Sequence, residues 1–288
     1  MKIVTHSGYF HTDDLLAVAT LLLKYPEAEV IRSRDEEVIE SADIVVDVGQ
    51  KYDASSMRFD HHQPSGAGVR DNGIPYASFG LVWKEFGEEV AGGKDKAKII
   101  EDKLIVAVDA TDNGVDLYTL LFKNTREYSL GDFFYSFVGE AETLEDLDKV
   151  FFEVLSLAKD LLRREIESAK RTADDWREVL KIYDESANKE IIILPANKHW
   201  KKILIPTETL FVISPRPDGQ WGARAVPKAI NSFELKSPFP ASWAGLKGGD
   251  LSSVSGVSDA VFCHRDRWLA NAKTKEGAIA LAKIALEN

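Results

Sequence analysis

The sequence has little sulfur and no long apolar run. Cysteine occurs once, at Cys263, which excludes a disulfide scaffold and a thiolate zinc knuckle and fits a reducing compartment. Nowhere are there the roughly 18 consecutive apolar residues of a membrane span. The opening MKIVTHSGYF carries no apolar segment of the signal-peptide kind. Together these absences predict a soluble, cytoplasmic protein with no membrane partner. Internal repeats and low-complexity tracts are also missing, so the chain is not a solenoid or a linker-rich array.

What is present is ample core material. Of 288 residues, 44% are hydrophobic, with 14 Phe and 6 Trp, which excludes a disordered chain. The length lies near the upper limit for one core and favours two domains. The net charge of −11 is unevenly spread: residues 189–288 carry 14 Lys and Arg against 9 Asp and Glu, whereas residues 1–188 carry 22 against 38. An acidic front half argues against plain electrostatic grip on nucleic acid, and the mildly basic back half admits an anionic ligand. Carboxylates are also what divalent cations need.

The front half reads as strands alternating with helices. Lys2–Thr5, Glu29–Arg32 and Asp43–Val48 are β-prone, while Asp14–Lys24 and Asp35–Glu40 have helical patterns. That order predicts an α/β fold with a parallel sheet, whose ligands bind at the carboxyl ends of strands, where His6 and Asp47 fall. Tyr52–Gly73 reads as loop. Helices are expected over Tyr76–Val90 and Asp95–Val108, and a long one over Leu144–Tyr183 with one break near Thr172. Asp184–Asn188 reads as a linker. Beyond it, strand-like runs at Ile191–Leu194, Thr209–Ile213 and Gln220–Val226 precede a helix over Lys275–Leu286. The expected division is a parallel-sheet domain over 1–142, a helical connector over 143–188 and a smaller α+β domain over 189–288.

Four of the six histidines lie in the first 62 residues, each near a carboxylate. His6, His11, Asp13 and Asp14 form the first cluster, in a loop and the opening turn of a helix. Imidazole nitrogen and carboxylate oxygen there suit a cation, but Thr12 capping the helix and acids favoured by its dipole would produce the same residues. Asp47 closes an apolar strand, as a ligand or as an ordinary turn residue. In Phe59-Asp60-His61-His62-Gln63 the adjacent histidines point in different directions, so one can bind a metal while its neighbour faces an oxyanion. Asp60 is placed to fix an imidazole tautomer. Asp109 follows the apolar run Ile105–Val108 and is expensive to bury unpaired, whereas Asp112-Asn113-Gly114 makes an unremarkable turn. His199 reads as a surface residue.

Taken in order, these motifs resemble the DHH phosphoesterase superfamily, which includes RecJ-type nucleases, oligoribonucleases and type II inorganic pyrophosphatases. More closely, THSGYFHTDD, DVGQKYD, RFDHHQ, ASFGLVWKEFG, VDATDNG and NAKTKEGA resemble the melanocyte-proliferating-gene (MYG) family of metal-dependent exonucleases. The resemblance implies a DHH-type front domain and two divalent ions, Mn2+ first and Mg2+ second, with water attacking a phosphodiester. It implies His6, His11 and Asp13 on one ion, His61 on the other, and Asp47 and Asp109 touching both. His62, Asp60 and Asp14 are the expected catalytic residues. Two cations ~3.5–4 Å apart can share a nucleophile and neutralise an in-line displacement, and mixed His and Asp ligation suits manganese better than calcium.

In the back half, Arg224, His264, Arg265, Asn271 and Lys273 are the expected substrate contacts, because cations interleaved with aromatics grip phosphate and stack bases. An edge strand and a solvated loop explain the same residues. Here the chain departs from the family: Trp268-Leu269-Ala270-Asn271-Ala272 replaces a glycine-rich stretch, which leaves substrate size and polarity of digestion open. The expected function is a metal-dependent exonuclease acting on RNA or short oligonucleotides, in a chain that can form a homodimer. A pyrophosphatase or dinucleotide phosphodiesterase, or a non-catalytic metal-binding scaffold, are the competing readings.

Overall fold

Ile3, Val4, Ile44, Val45 and Val46 are all inaccessible to solvent, and apolar residues buried on both faces are what a parallel strand requires. The computed structural model describes residues 1–287 and divides the chain into two units, Met1–Lys170 and Arg171–Asn288. The first contains β1 (Lys2–Thr5), α1 (Thr12–Lys24), β2 (Glu29–Arg32), α2 (Glu36–Glu40), β3 (Ile44–Val46), β4 (Tyr52–Asp53) and β5 (Arg58–Phe59). It continues with α3 (Ser78–Ala91), α4 (Lys94–Ile100), α5 (Val106–Asp112), α6 (Leu130–Tyr135) and the start of α7 (Leu144–Glu185). The sheet runs β2-β1-β3-β5-β4, parallel except for the β4 hairpin edge. Ile3, Ile44 and Val46 face α1 and α3, while Val4 and Val45 face Val38 and Ile39 of α2. Because α1 packs against α3, Leu15, Leu16, Val18 and Leu21 are all fully buried.

Register then determines what the sheet presents. Thr5 pairs with Val46, and Val46 with Phe59. Three neighbouring parallel strands therefore end together, and the next residues are His6, Asp47 and Asp60. The short strands β4 and β5, inside a stretch expected to be loop, hold the third of these in place.

Two expectations are corrected in the helices. The pattern over Asp95–Val108 does not end before Asp109. It passes through a π-helical turn at Glu101–Ile105 and continues as α5 to Asp112. Asp109 is therefore a buried helical residue, whose Oδ1 accepts the Gly80 N–H at 3.0 Å and whose Oδ2 lies 2.8 Å from the Arg70 guanidinium. Nor is α7 broken near Thr172. It contains neither Gly nor Pro, and one β-branched residue is only a weak helix penalty. The boundary between units falls within this helix, so the segment expected as a connector is shared between them.

The second unit comprises the end of α7 with β6 (Ile191–Ile193), α8 (Lys201–Leu204), β7 (Phe211–Pro215), β8 (Trp221–Ala225), α9 (Gly248–Ser255), β9 (Ala260–Cys263), β10 (Leu269–Ala272) and α10 (Lys275–Glu287). Its sheet order is β6-β7-β8-β10-β9, with only β6 and β7 parallel. Phe211, Ile213, Ala223, Ala270 and Ala272 bury one face with Ala278, Leu281 and Ala282 of α10. The opposite face buries Ile192, Val212 and Val226 with Val179 of α7 and with Trp200 and Leu204. Among the described residues, no helix is long and apolar enough to cross a membrane.

Gly80 has to be glycine because of the Asp109 pair. A Cβ there would lie 1.8 Å from Asp109 Oδ2 and 2.6 Å from an Arg70 nitrogen. Alanine gains about 1 kcal/mol of helix propensity but forces a buried ion pair apart, at about 3–5 kcal/mol. Gly80→Ala is therefore expected to lower stability by roughly 2–4 kcal/mol, read from the urea midpoint. An unshifted midpoint means the pair contributes nothing to the fold.

Candidate metal centre

Strand ends and one helix start supply the cluster. His6 follows β1, and its Nδ1 lies 3.2 Å from the Ser7 carbonyl, which leaves Nε2 facing the acids of the cluster. That Nε2 is 3.4 Å from both Asp14 Oδ2 and Asp47 Oδ2. His11, rather than Thr12, caps α1, and its backbone N–H donates to Asp14 Oδ1 at 2.7 Å. Asp13 and Asp14 in the first turn are wholly buried, which a role as dipole-favoured surface acids does not explain.

Asp47 sits in the left-handed region, at φ 57°, with Gly49 at φ 89° and Gln50 at φ 52° just behind it. Non-glycine residues adopt that conformation only at a cost, which turns the chain sharply and aims the Asp47 carboxylate inward. Its Oδ1 accepts the Ser78 hydroxyl at 2.8 Å and lies 3.4 Å from His61 Nε2. The backbone N–H of Gln50 donates to Asp60 Oδ2 at 2.5 Å, and Asp60 Oδ1 lies 2.8 Å from His62 Nδ1. Asp60 is buried, whereas His62 faces solvent. The rings of His61 and His62 do not diverge but lie with centroids 4.4 Å apart; His61 turns its Nε2 into the cluster, and His62 Nδ1 lies 3.5 Å from Asp47 Oδ1.

The second neighbour of His61 Nε2 is Asp112 Oδ2, at 3.0 Å. Asp109, expected to reach two ions, lies instead against Arg70 and Gly80, and Asp112, one helical turn later, stands in the cluster. The helical spacing of the two acids in VDATDNG was the available signal; which of them faces inward was not readable.

Three sets of donor atoms each lie within 4.8 Å of one another: His6, His11 and Asp47; Asp47, His61 and His62; and His11, Asp13 and Asp112. Asp47 and His11 each belong to two. The electrostatics show what the cluster lacks. Burial, with Asp47, Asp112 and Asp14 alongside, drives the Asp13 carboxyl well above its ordinary range. Burial likewise pushes Asp14 up to about 6, against the pull of His6. Burial opposes ionisation of Asp47 too, yet the His6 and His61 imidazoles close beside it hold its carboxyl well below the usual range. For the imidazoles burial alone would lower the pKa, but Asp47 and Asp14 outweigh it at His6, and Asp112 and Asp47 carry His61 up to about 10.

Five buried polar atoms here have no hydrogen-bond partner among the described residues: His6 Nε2, both oxygens of Asp13, Asp14 Oδ2 and His61 Nε2. Buried polar atoms are normally paired, so a convergent group of orphans fits a cation that their lone pairs would satisfy. Of these residues His6 lines an adjoining cavity of about 710 Å³, together with His11, Asp47, Asp60 and His62 and with Arg34 and Gln50.

The expected substrate contacts lie in the second unit. Arg224 on β8 and Asn271 on β10 share a sheet face, because Leu269 pairs with Arg224 and Asn271 with Gly222. Asn271 is buried, with Oδ1 unpartnered among the described residues. The His264 ring, in the turn after β9, is 5.1 Å from Trp268, while Arg265 and Lys273 are exposed.

The family model MYG1_exonuc, described as an uncharacterised protein family (UPF0160), matches residues 2–286. The chain belongs to this family. A MYG1 protein of Dictyostelium discoideum is 31% identical over 98% of this chain and 95% of its own length. A MYG1 protein of Schizosaccharomyces pombe is 31% identical over 100% of this chain and 98% of its own. The Homo sapiens relative, named MYG1 exonuclease, is 28% identical over 99% of this chain and 85% of its own. The match of the MYG1_exonuc model spans both units, and with them the cluster and the basic second sheet.

Two outcomes follow for this MYG1_exonuc chain. Asp112→Ala is expected to weaken Mn2+ binding at least about tenfold, whereas Asp109→Asn lowers the urea midpoint and leaves that affinity near wild type. Calorimetric titration separates the two, and equal loss of affinity in both variants would assign the metal to the wrong turn of α5. Because ligands bind metal deprotonated, the raised pKa values of His61 and Asp14 require proton release on binding. Mn2+ affinity is therefore expected to rise between pH 6 and 8, with the released protons read from titrations in buffers of different ionisation enthalpy.

Proposed function

We propose that the protein is a divalent-metal-dependent phosphodiesterase, an exonuclease that shortens RNA or short oligonucleotides. The observation that carries this reading is the group of five unpartnered buried polar atoms of His6, Asp13, Asp14 and His61, beside a cavity that His6, His11, Asp47 and His62 line. The name of the human relative, an exonuclease, supports the reaction class.

On this reading His6, His11, Asp13, Asp47, His61 and Asp112 hold two divalent ions, Mn2+ by the mixed nitrogen and oxygen donor set, with Mg2+ as substitute. Bound there, they supply Lewis acidity and a water of lowered pKa for in-line displacement. Asp47 belongs to two of the donor sets and is the natural bridging carboxylate. Asp14 holds the start of α1 through the His11 N–H and faces His6 Nε2, so it orients ligands rather than touching substrate. His62 has Nδ1 engaged by Asp60, and presents its remaining nitrogen to a phosphate oxygen. The DHH-type arrangement of the front domain and a cytoplasmic location, consistent with the lone buried Cys263, complete the reading.

Openness separates this from a structural metal site. His11 and His62 are exposed while Asp13, Asp14 and Asp47 are buried, so one side is left for water and substrate. The test is Mn2+-dependent hydrolysis of a 5′-labelled short RNA, a matching DNA and pyrophosphate, with His61→Ala and Asp47→Ala run as folded controls. Shortening of an oligomer by wild type, lost at least about 10³-fold in both variants and abolished by EDTA, is the expected result. Turnover of pyrophosphate alone would move the substrate to a small phosphoester, and metal binding without any turnover would leave a scaffold.

A further inference from the structure

The second unit contains a cavity of about 1250 Å³, larger than the roughly 300–1,000 Å³ of an ordinary small-molecule pocket. Its walls include Trp176 of α7, Lys201 and Lys202 of α8, Arg224 of β8, Phe233 in the loop after β8, and Trp268 before β10. Of the five residues expected to contact substrate, only Arg224 lies here.

Three cations in these walls, Arg224, Lys201 and Lys202, have no carboxylate partner among the described residues. Arg224 is half-buried, and its one hydrogen bond among the described residues goes to the neutral Ser214 hydroxyl, at 2.6 Å. Among the described residues no carboxylate pairs with it; burial and neighbouring Arg216 both depress the guanidinium pKa. Lys201 and Lys202 are exposed and have no acidic partner among the described residues, and Lys202 Nζ stands 4.1 Å over the Trp176 ring. Lys198 in the same wall is different, since Asp175 at 3.1 Å and Glu178 at 2.7 Å neutralise it. The one acid of the lining, Asp266, lies 3.6 Å from His264 and 3.7 Å from Arg265. Large apolar faces accompany the cations: Phe233 is wholly exposed and Trp268 is 39% exposed. Aromatic faces beside unpaired cations match a base with its phosphate, and a guanidinium without a carboxylate is a strong partner for a phosphate oxygen.

We propose that this cavity binds nucleotide units of a single-stranded nucleic acid, with bases against Trp176, Phe233 and Trp268 and phosphates on Arg224, Lys201 and Lys202. The ligand class rests on the phosphodiesterase reading. The cavity adds that the substrate is held unpaired, because a base stacked inside a duplex has no free face for an aromatic side chain. Its volume accommodates more than one nucleotide, so a strand fills it better than a free mononucleotide does.

The test is equilibrium binding to the full chain, with EDTA present so that hydrolysis does not intervene. A fluorescent ten-nucleotide RNA, the same strand in a duplex, and AMP as competitor are the probes, read by anisotropy. Trp268→Ala is expected to weaken the single strand about tenfold, and Trp268→Phe to restore most of the loss. Lys201→Glu with Lys202→Glu, both at exposed positions that the fold does not need, should weaken binding and flatten its salt dependence by about 0.7 per lost phosphate contact. Equal affinity of these variants and wild type, preference for the duplex, or no binding at all overturns the proposal. Displacement of the strand by AMP at matching affinity would make a free nucleotide the ligand and overturn the strand reading. Cavity-dependent binding in a protein without hydrolytic activity would leave this proposal standing and remove the phosphodiesterase reading instead.

Discussion

Carboxylates buried side by side are the constraint around which the first unit is built. Asp13, Asp14 and Asp47 lie out of water within reach of one another, and desolvation of each ion costs several kcal/mol. The start of α1 offers a favourable dipole, but that is worth only about 0.3–1 kcal/mol per acid at a typical site. The dipole therefore loses by a wide margin. Two imidazoles drawn toward the protonated state compensate part of the charge, as His61 near 10 shows. The orphaned oxygens of Asp13 mark the part that the protein's own groups leave uncompensated. Divalent cations offer what remains, and also reverse the local sign that a phosphate would meet.

Every nearby element serves that concentration of charge. Parallel pairing of β1, β3 and β5 brings three chain reversals to one edge, and the left-handed turn at Asp47 directs the middle carboxylate inward. Ser78, at the start of α3, steadies Asp47, and the Gln50 amide steadies Asp60. A second buried ion pair, Arg70 with Asp109, anchors α5 against α3 at a position where only glycine fits. Asp112 is presented from the end of that anchored helix, so its placement depends on a charge pair that does not itself enter the cluster.

The alternation of strands and helices in the first unit, and the placing of His6 and Asp47 at strand ends, were legible because they depend on local pattern. Strands β1, β2 and β3 appear as short apolar runs, and residues that follow such runs in an alternating α/β chain fall at one edge. Helix α10 and the apolar face of α1 were equally plain from period. What could not be read was phase and long-range pairing. The run Ile105–Val108 looked like a helix ending at Asp109, but a π-helical turn at Glu101–Ile105 inserts an extra residue per turn and the helix continues. The acid whose burial demanded a partner has one in Arg70, from a distant loop, and the acid that resembled a turn residue joins the histidines instead. Strands of two residues, such as β4 and β5, and the small-residue strand β10, Leu-Ala-Asn-Ala, carry too little pattern to be seen.

The two sheets show how similar layers come to different uses. In the first, the parallel strands end in histidine and aspartate, and function gathers at one edge. In the second, antiparallel neighbours alternate faces: Ala223, Ala270 and Ala272 close against α10, so Arg224 and Asn271 must turn to the other side. Alanines there permit close helix packing and at the same time commit the polar residues of β8 and β10 to the opposite face. Arg224 is thereby left half-buried on that face with the Ser214 hydroxyl as its hydrogen-bond partner among the described residues. Buried acidity in the first unit and half-buried basicity in the second thus have one origin, the edge or face that each strand pattern leaves to its polar residues.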